Sequence, residues 1–320
     1  MHPLVSDQVG AAPTVDPDLV NAWGLTAGPM TPWWVADNGT DRSTLYTGGG
    51  VKIPLVVDVG GGPTGLVFNG SPGFVVTDGV NSGPAFFIFA SEDGKIRGWS
   101  PFVSFTQTAV AVDNSGAGAI YKGLAIAQTA TGPMLYANDF HNARVDVFGS
   151  SFTPVSTAGG FVDRALPTGY GPFGIQAIGG RIFVTYAKQD ADAEDEVAGQ
   201  GLGFVDAYDT AGHLLARVAQ HGQLNAPWGL ARAPASFGRF GGDLLVGNFG
   251  DGQINAYEEL PNGHFEHRGK LRSGHKSLSI DGLWALEFGN GGPSGPTDTL
   301  FFTAGPDDES HGLFGSITAG

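Results

Sequence analysis

Five short polar runs in this chain carry the residue types from which a reactive or binding site is usually made. They are Asp37-Asn38-Gly39, Asn138-Asp139-Phe140-His141-Asn142, Tyr186-Ala187-Lys188-Gln189-Asp190, Asn248-Phe249-Gly250-Asp251-Gly252 and Asp307-Asp308-Glu309-Ser310-His311. Each follows an apolar run; Asn21, His221, Asn225, His275 and Asp281 stand ahead of others. Carboxylate and amide oxygens in such numbers suit a hard cation, and calcium takes roughly six to eight of them in flexible geometry. Asp37, Asn138, Asp139, Asn248 and Asp281 are the candidate metal ligands, with calcium the favoured divalent ion. The histidines would alternatively bring zinc or another transition metal. His141, His275, Tyr186 and Lys188 are candidate acid–base groups. The same residues also have a structural reading. Asn-Gly and Asp-Gly pairs form turns because they tolerate positive φ, and Lys188 would pair with one of the neighbouring acids.

The elements that must position these groups follow from a repeat. Six copies of a Gly-aliphatic strand start read Trp23-Gly24-Leu25, Thr64-Gly65-Leu66, Lys122-Gly123-Leu124, Phe173-Gly174-Ile175, Trp228-Gly229-Leu230 and Asp281-Gly282-Leu283, roughly 50 residues apart. Behind each comes a second apolar strand, such as Trp33-Trp34-Val35-Ala36 or Leu244-Leu245-Val246-Gly247, then a polar loop, then an alternating third strand. A multi-strand unit with this period predicts an all-β, six-bladed β-propeller with four-stranded antiparallel blades, and residues 1–320 as one domain. The last unit stops after a third strand, Leu313-Phe314-Gly315-Ser316-Ile317. A ring must hide its edges, so the N-terminal segment Pro3-Leu4-Val5-Ser6 is expected to complete the last blade. Insertions are expected near Asn69–Pro84 in unit two and Gln189–Gln200 in unit four.

Composition narrows the function. The 53 glycines punctuate turns rather than forming low-complexity tracts. A net charge of −15 argues against a nucleic-acid partner, whose phosphates want a basic surface. It fits an acidic surface kept for solubility, or one that holds cations. With no cysteine there is no disulfide, thiol catalysis or cysteine-held metal. No apolar run is long enough to span a membrane as a helix. Met1-His2-Pro3 reads as an abrupt start from which a leader has been removed.

Sorting the acids by loop singles out one face. In a propeller, the loops between second and third strands share a face with the connections that enter each blade. Fourteen acids fall in those loops, among them Glu92, Asp93, Asp195, Glu196 and Glu309, against two in the connections between first and second strands. The acidic run Asp190–Glu196 resembles the start of an EF-hand loop, but Asp195 stands where the glycine is needed and Gly201 where the closing Glu belongs, so it is not one. It is either a flap over the face or a solvated charge run. Trp23, Trp228 and Trp284, at matching places in their units, either floor a pocket near the axis or pack blade against blade. There is no Gly-x-Ser-x-Gly elbow, P-loop, His-Glu-x-x-His or dinucleotide fingerprint.

The segments Asn21–Leu25, Trp34–Thr40, Tyr136–His141, Tyr186–Asp192, Asn225–Leu230, Gly247–Gly252, Asp281–Trp284 and Thr303–Glu309 resemble a family of exported bacterial propeller proteins, some with an exosortase-sorting C-terminal tail. The resemblance runs nearly end to end and implies a periplasmic or extracellular protein. More loosely, the architecture is similar to NHL-repeat proteins, gluconolactonase-like calcium hydrolases and virginiamycin B lyase-like enzymes. Such likeness implies an axial calcium held by carboxylate and Asn oxygens. Two functions remain open from the sequence. One is a metal-dependent hydrolase of a lactone, ester or phosphoester, or a lyase working by elimination. The other is a non-catalytic propeller, a monomer gripping a small molecule, carbohydrate or surface partner, with any cation structural.

Overall fold

A computed structural model describes residues 1–319 and shows the expected six-bladed ring, almost without helix: three 3-10 turns are the only helical elements among these residues. Blade one runs Ala22–Thr26, Trp33–Asp37, Arg42–Tyr46 and Lys52–Asp58 from the axis outward. Blade two is Pro63–Phe68, Phe87–Ser91, Lys95–Trp99 and Ala109–Asp113. Blade four is Tyr170–Ile178, Arg181–Lys188, Phe204–Tyr208 and Leu214–Gln220. Blade five is Pro227–Arg232, Leu244–Asn248, Ile254–Glu259 and Phe265–Lys270. Blade three has only Tyr121–Thr129, Gly132–Asp139 and Arg144–Phe148 as regular strands. Its outer edge is reduced to a bridge between Phe148 and Pro154, and a proline has no N–H with which to extend a ladder.

The second strands are largely apolar because both of their faces are buried. Successive residues point to opposite sides. Trp33 and Val35 enter a core shared with blade six, while Trp34 and Ala36 enter one shared with blade two. Leu244 and Val246 face blade four, and Leu245 faces blade six. Six such inter-blade cores form the ring, and a seventh cluster lies on the axis.

The repeated glycine has a steric cause. A Cβ on Gly24 would meet the Thr64 carbonyl oxygen of the next blade at 2.3 Å; on Gly123, that of Phe173 at 2.6 Å; on Gly174, that of Trp228 at 2.0 Å; on Gly229, that of Trp284 at 2.5 Å. Each inner strand therefore lies against the backbone of the next. This contact corrects the register of the sixth unit. The equivalent of Trp228-Gly229-Leu230 is Trp284-Ala285-Leu286, not Asp281-Gly282-Leu283. Gly282 instead sits at φ +62 beside Gly305 in the entry turn.

Closure occurs as expected. Strand His2–Ser6 pairs antiparallel with Leu313–Thr318 and completes blade six. Thr14–Val15 adds a fifth, parallel strand outside it. Val5 is fully buried, Asp7 accepts from the Gly312 amide at 2.9 Å, and the Ser6 hydroxyl donates to the Gly312 carbonyl at 2.9 Å. The blade-two insertion carries a hairpin, Val75–Thr77 with Ser82–Pro84.

Two outcomes follow from these contacts. Gly174→Ala should cost about 3 kcal/mol in urea unfolding, through overpacking against fixed backbone. Gly116→Ala, where a Cβ would meet nothing within 4 Å, should be neutral. Deleting residues 1–10 should lower the melting temperature by about 10 °C or more as the last blade loses its edge strand; an unchanged melt would refute closure by this segment.

Candidate functional site

The residue ahead of each inner-strand glycine, or of Ala285, turns toward the axis. One layer of the channel is thus Trp23, Thr64, Lys122, Phe173, Trp228 and Trp284, one from each blade. Trp23 stacks on Trp284 at 3.7 Å, and Trp228 stands edge-on to both at 6.5 and 5.9 Å. Phe249 stacks on the free side of Trp284 at 4.1 Å, and Phe173 meets its edge at 5.8 Å. The three tryptophans therefore meet one another across the axis. They form an aromatic plug rather than blade-to-blade packing.

Lys122 is the one charged member of the layer and is 1% exposed. Its ammonium lies 5.1 Å from the Trp23 ring and donates to Glu92 at 2.5 Å and to Asp195 at 2.9 Å. The Glu92 carboxylate also accepts from the Asn38 amide at 2.8 Å. The Asn21 amide donates to Asn38 at 3.2 Å and to Glu309 at 2.6 Å, and its oxygen accepts from Trp284 Nε1 at 2.8 Å. Trp228 Nε1 donates to the Lys122 carbonyl at 3.0 Å. A single polar network thus joins all six blades on the acidic face that the sequence singled out. The acidic run of blade four is largely exposed but reaches toward the axis at one point: Asp195 binds Lys122, and beyond the run the Gly199 amide donates to Asn225 Oδ1 at 2.6 Å.

Burial would lower the Lys122 pKa, but Glu92, Asp195 and Glu196 overcome it and hold the ammonium above its ordinary range. Lys122 therefore stays charged and is neither a base nor an amine nucleophile at neutral pH. Burial pushes the Glu196 carboxyl up to about 8 despite the nearby Lys122, and raises Glu309 as well.

The residues expected from sequence lie elsewhere. Asp37, Asp139, Tyr186 and Asn248 occupy equivalent positions near the end of a second strand, facing Ala22, Tyr121, Pro172 and Pro227 of their own inner strands. A second strand stands about 5 Å farther from the axis, behind the inner one. Asp37 is fully buried, and burial drives its pKa far upward, with Thr44 pulling the other way. Asp139 accepts from the Ile120 and Asn142 amides and pairs with Arg144 at 3.2 Å. Asn138 is buried with neither amide atom bonded. Asn248 donates to Gln223 and Asp251, and Asp281 accepts from the Asp307 amide. The Tyr186 hydroxyl bonds that of Tyr208 at 2.7 Å inside the core between blades three and four, and burial raises its pKa far above the ordinary value. Lys188 lies 5.6 Å over the Tyr170 ring, His141 abuts Gly118, and His275 is exposed in the Arg272–Ser277 hairpin. Among the described residues, no three His, Asp or Glu side chains are grouped to share a metal ion. Of the oxygens that converge on the axis, the Glu92 and Asp195 carboxylates already bond an ammonium, so this set does not fit calcium as well. Lys122 is not among the residues expected from sequence; with Trp284 in place of Asp281 in the sixth unit, it is a charged residue at a place where four of the other five units carry an aromatic ring.

The other half of the channel opens on the opposite face. Below the plug, Leu25, Leu66, Leu124, Ile175, Leu230 and Leu286 form an aliphatic ring, again one from each blade. Beyond it lies a cavity of about 170 Å³, walled by Val67, Phe68, Ala125 and Ile126, with Thr26, Gln176 and Glu287 as its polar groups. Burial pushes the Glu287 carboxyl up to about 8, with Thr26 pulling weakly the other way. At neutral pH it is a hydrogen-bond donor.

Glu287 holds its proton in the folded chain up to about pH 8, whereas the unfolded chain releases it near the ordinary 4.5. Folding therefore takes up a proton between these values, and stability falls as pH rises through that window. Glu287→Gln should melt several degrees above wild type at pH 8.5 and close to it at pH 5, read by scanning fluorimetry across the range. An equal difference at both pH values would show that no titration is involved.

No protein-family model matches the chain. Among solved structures, a glucose dehydrogenase superposes with a TM-score of 0.58 at 12% identity, over 95% of this chain and 98% of that one. An inactive variant of virginiamycin B lyase from Staphylococcus aureus, solved with quinupristin, gives 0.52 at 12% identity, over 92% and 80%. At such identities the likeness is one of fold. By sequence, the uncharacterised protein R648 of Acanthamoeba polyphaga mimivirus is 31% identical over 330 aligned residues, 98% of this chain and 78% of that protein. The chain belongs to the same protein family as mimivirus R648.

Proposed function

We propose that this is a non-catalytic, small-ligand-binding propeller whose structural cation is its own Lys122 ammonium. The observation that carries the reading is the set of axial oxygens. Glu92 and Asp195 accept from Lys122, while Asn21 and Asn38 bond each other and the flanking Glu309 and Glu92. Hydrolysis through an axial calcium would need these oxygens for the metal. A lyase reading rests on fold likeness, which is a weak guide to chemistry.

The ligand seat in this reading is the axial cavity on the face opposite the acids. Apolar walls with a few convergent polar groups are the usual form of a small-molecule site. A protonated Glu287, the Gln176 amide and the Thr26 hydroxyl suit an uncharged molecule that accepts hydrogen bonds, of about monosaccharide size or smaller. Trp228 lines the channel just above and would report occupancy by its fluorescence. An exported location, implied by the sequence resemblance, belongs to the same proposal.

The test is metal content by mass spectrometry on protein purified without chelator or nickel, with melts in EDTA. We expect no stoichiometric metal and no effect of EDTA. Lys122→Met should lose about 1 kcal/mol, because Glu92 and Asp195, both in contact with solvent, lose the ammonium they share, and added calcium should raise its melting temperature but not that of wild type. One equivalent of calcium in wild-type protein, with a melt that falls in EDTA, would overturn the reading.

A further inference from the structure

Sixteen lysines and arginines stand against thirty-one acids in this chain. Ten of the sixteen are in ion pairs: Arg42, Lys52, Lys95, Arg97, Lys122, Arg144, Arg181, Arg217, Arg232 and Arg268. Of the six that pair with no carboxylate among the described residues, four fall between Arg239 and Lys276. Three of those four, Arg239, Lys270 and Arg272, line one cavity of about 310 Å³ in the cleft between blades five and six. An acidic protein that leaves its unpaired cations together, around a concavity with no acid in its lining, has concentrated positive potential where charge balance does not require it.

The cavity is also shaped. Its apolar wall is Phe237, Phe240, Leu271 and Ile317, all buried in the blade five–six core. Arg239, itself exposed, is braced by an aromatic ring. Its guanidinium lies 4.4 Å over the Phe240 ring, and Gly269 leaves room where a Cβ would come within 2.9 Å of it. Gly269 has φ +130, a conformation that favours glycine. Three cations beside an aromatic wall match a ligand with a doubly charged oxyanion joined to an apolar body. A single carboxylate would leave most of the charge unanswered, and a planar guanidinium suits phosphate oxygens in particular.

We infer that the cleft between blades five and six is a second binding site, for a small phosphomonoester carrying an aromatic or aliphatic group. The site is independent of the axial channel, and its test does not depend on what the axis binds.

Isothermal titration with phenyl phosphate, inorganic phosphate and phenol separates the contributions. Phenyl phosphate should bind roughly tenfold tighter than phosphate, phenol should give no heat, and the affinity for phenyl phosphate should fall as salt is raised. The triple variant R239Q/K270Q/R272Q should lose the binding, while K276Q, outside the cavity, should keep it. If the triple variant does not fold, the exposed single change Arg272→Gln carries the comparison and should weaken binding severalfold. No heat with phenyl phosphate in wild-type protein, equal binding by phenol, or an affinity unchanged in a folded cavity variant would each overturn the proposal.

Discussion

The structure depends on how closely the inner strands approach one another around the axis. Glycine at positions 24, 123, 174 and 229 lets the backbone of the following blade come to a distance that any side chain would forbid. That contact narrows the channel until six side chains, one per blade, fill a single layer. Because the layer is so tight, its members touch across the axis. Trp23 can stack on Trp284, and Lys122 can reach the loops of blades two and four at once. A wider ring would separate these groups and leave a buried ammonium without partners, which is far more costly than leaving it in water.

The two ends of the channel differ for reasons that follow from this layer. On the acidic face, a lysine in an aromatic ring demands counter-charges, and the loops supply them. The result is a closed, hydrogen-bonded cap in which Asn21 adopts positive φ to serve Glu309, Asn38 and Trp284 together. On the opposite face nothing demands closure. The aliphatic ring satisfies itself by packing, and the channel flares into a cavity where one carboxyl, Glu287, is held in apolar surroundings and keeps its proton. Acid content therefore marks the face that is sealed, and the concavity lies where acids are scarce.

Closure of the ring uses the same economy of edges. The third strand of blade six has a free edge, and the N-terminal strand covers it with a fully buried Val5. Charge is distributed with similar consequence. Most cations answer local carboxylates, so the few that do not are visible as a group between blades five and six.

The architecture was legible because it is written in short-range pattern. The period of the Gly-aliphatic starts, the apolar second strands and the missing outer strand of the last unit were sufficient for six blades and N-terminal closure. Each of these reflects burial or backbone geometry within one unit. The sixth start was misread by three residues because Gly282 imitates the motif, and only the contact of Gly229 with the Trp284 carbonyl shows that Ala285 takes the glycine's place. The candidate site was legible only as a face. Asp37, Asp139 and Asn248 recur in register because turn formation repeats from blade to blade, and repetition alone does not say whether a residue lies on the axis or a strand behind it. Lys122, Glu92, Asp195 and Glu309 come from three blades and a loop insertion, and their distances depend on the radius of the ring. That radius is a property of all six inter-blade contacts together. The sequence by itself therefore determined the repeat, the fold and the polar face, while the tertiary structure decided which charges meet, which end of the channel is open and which cations are left unpaired.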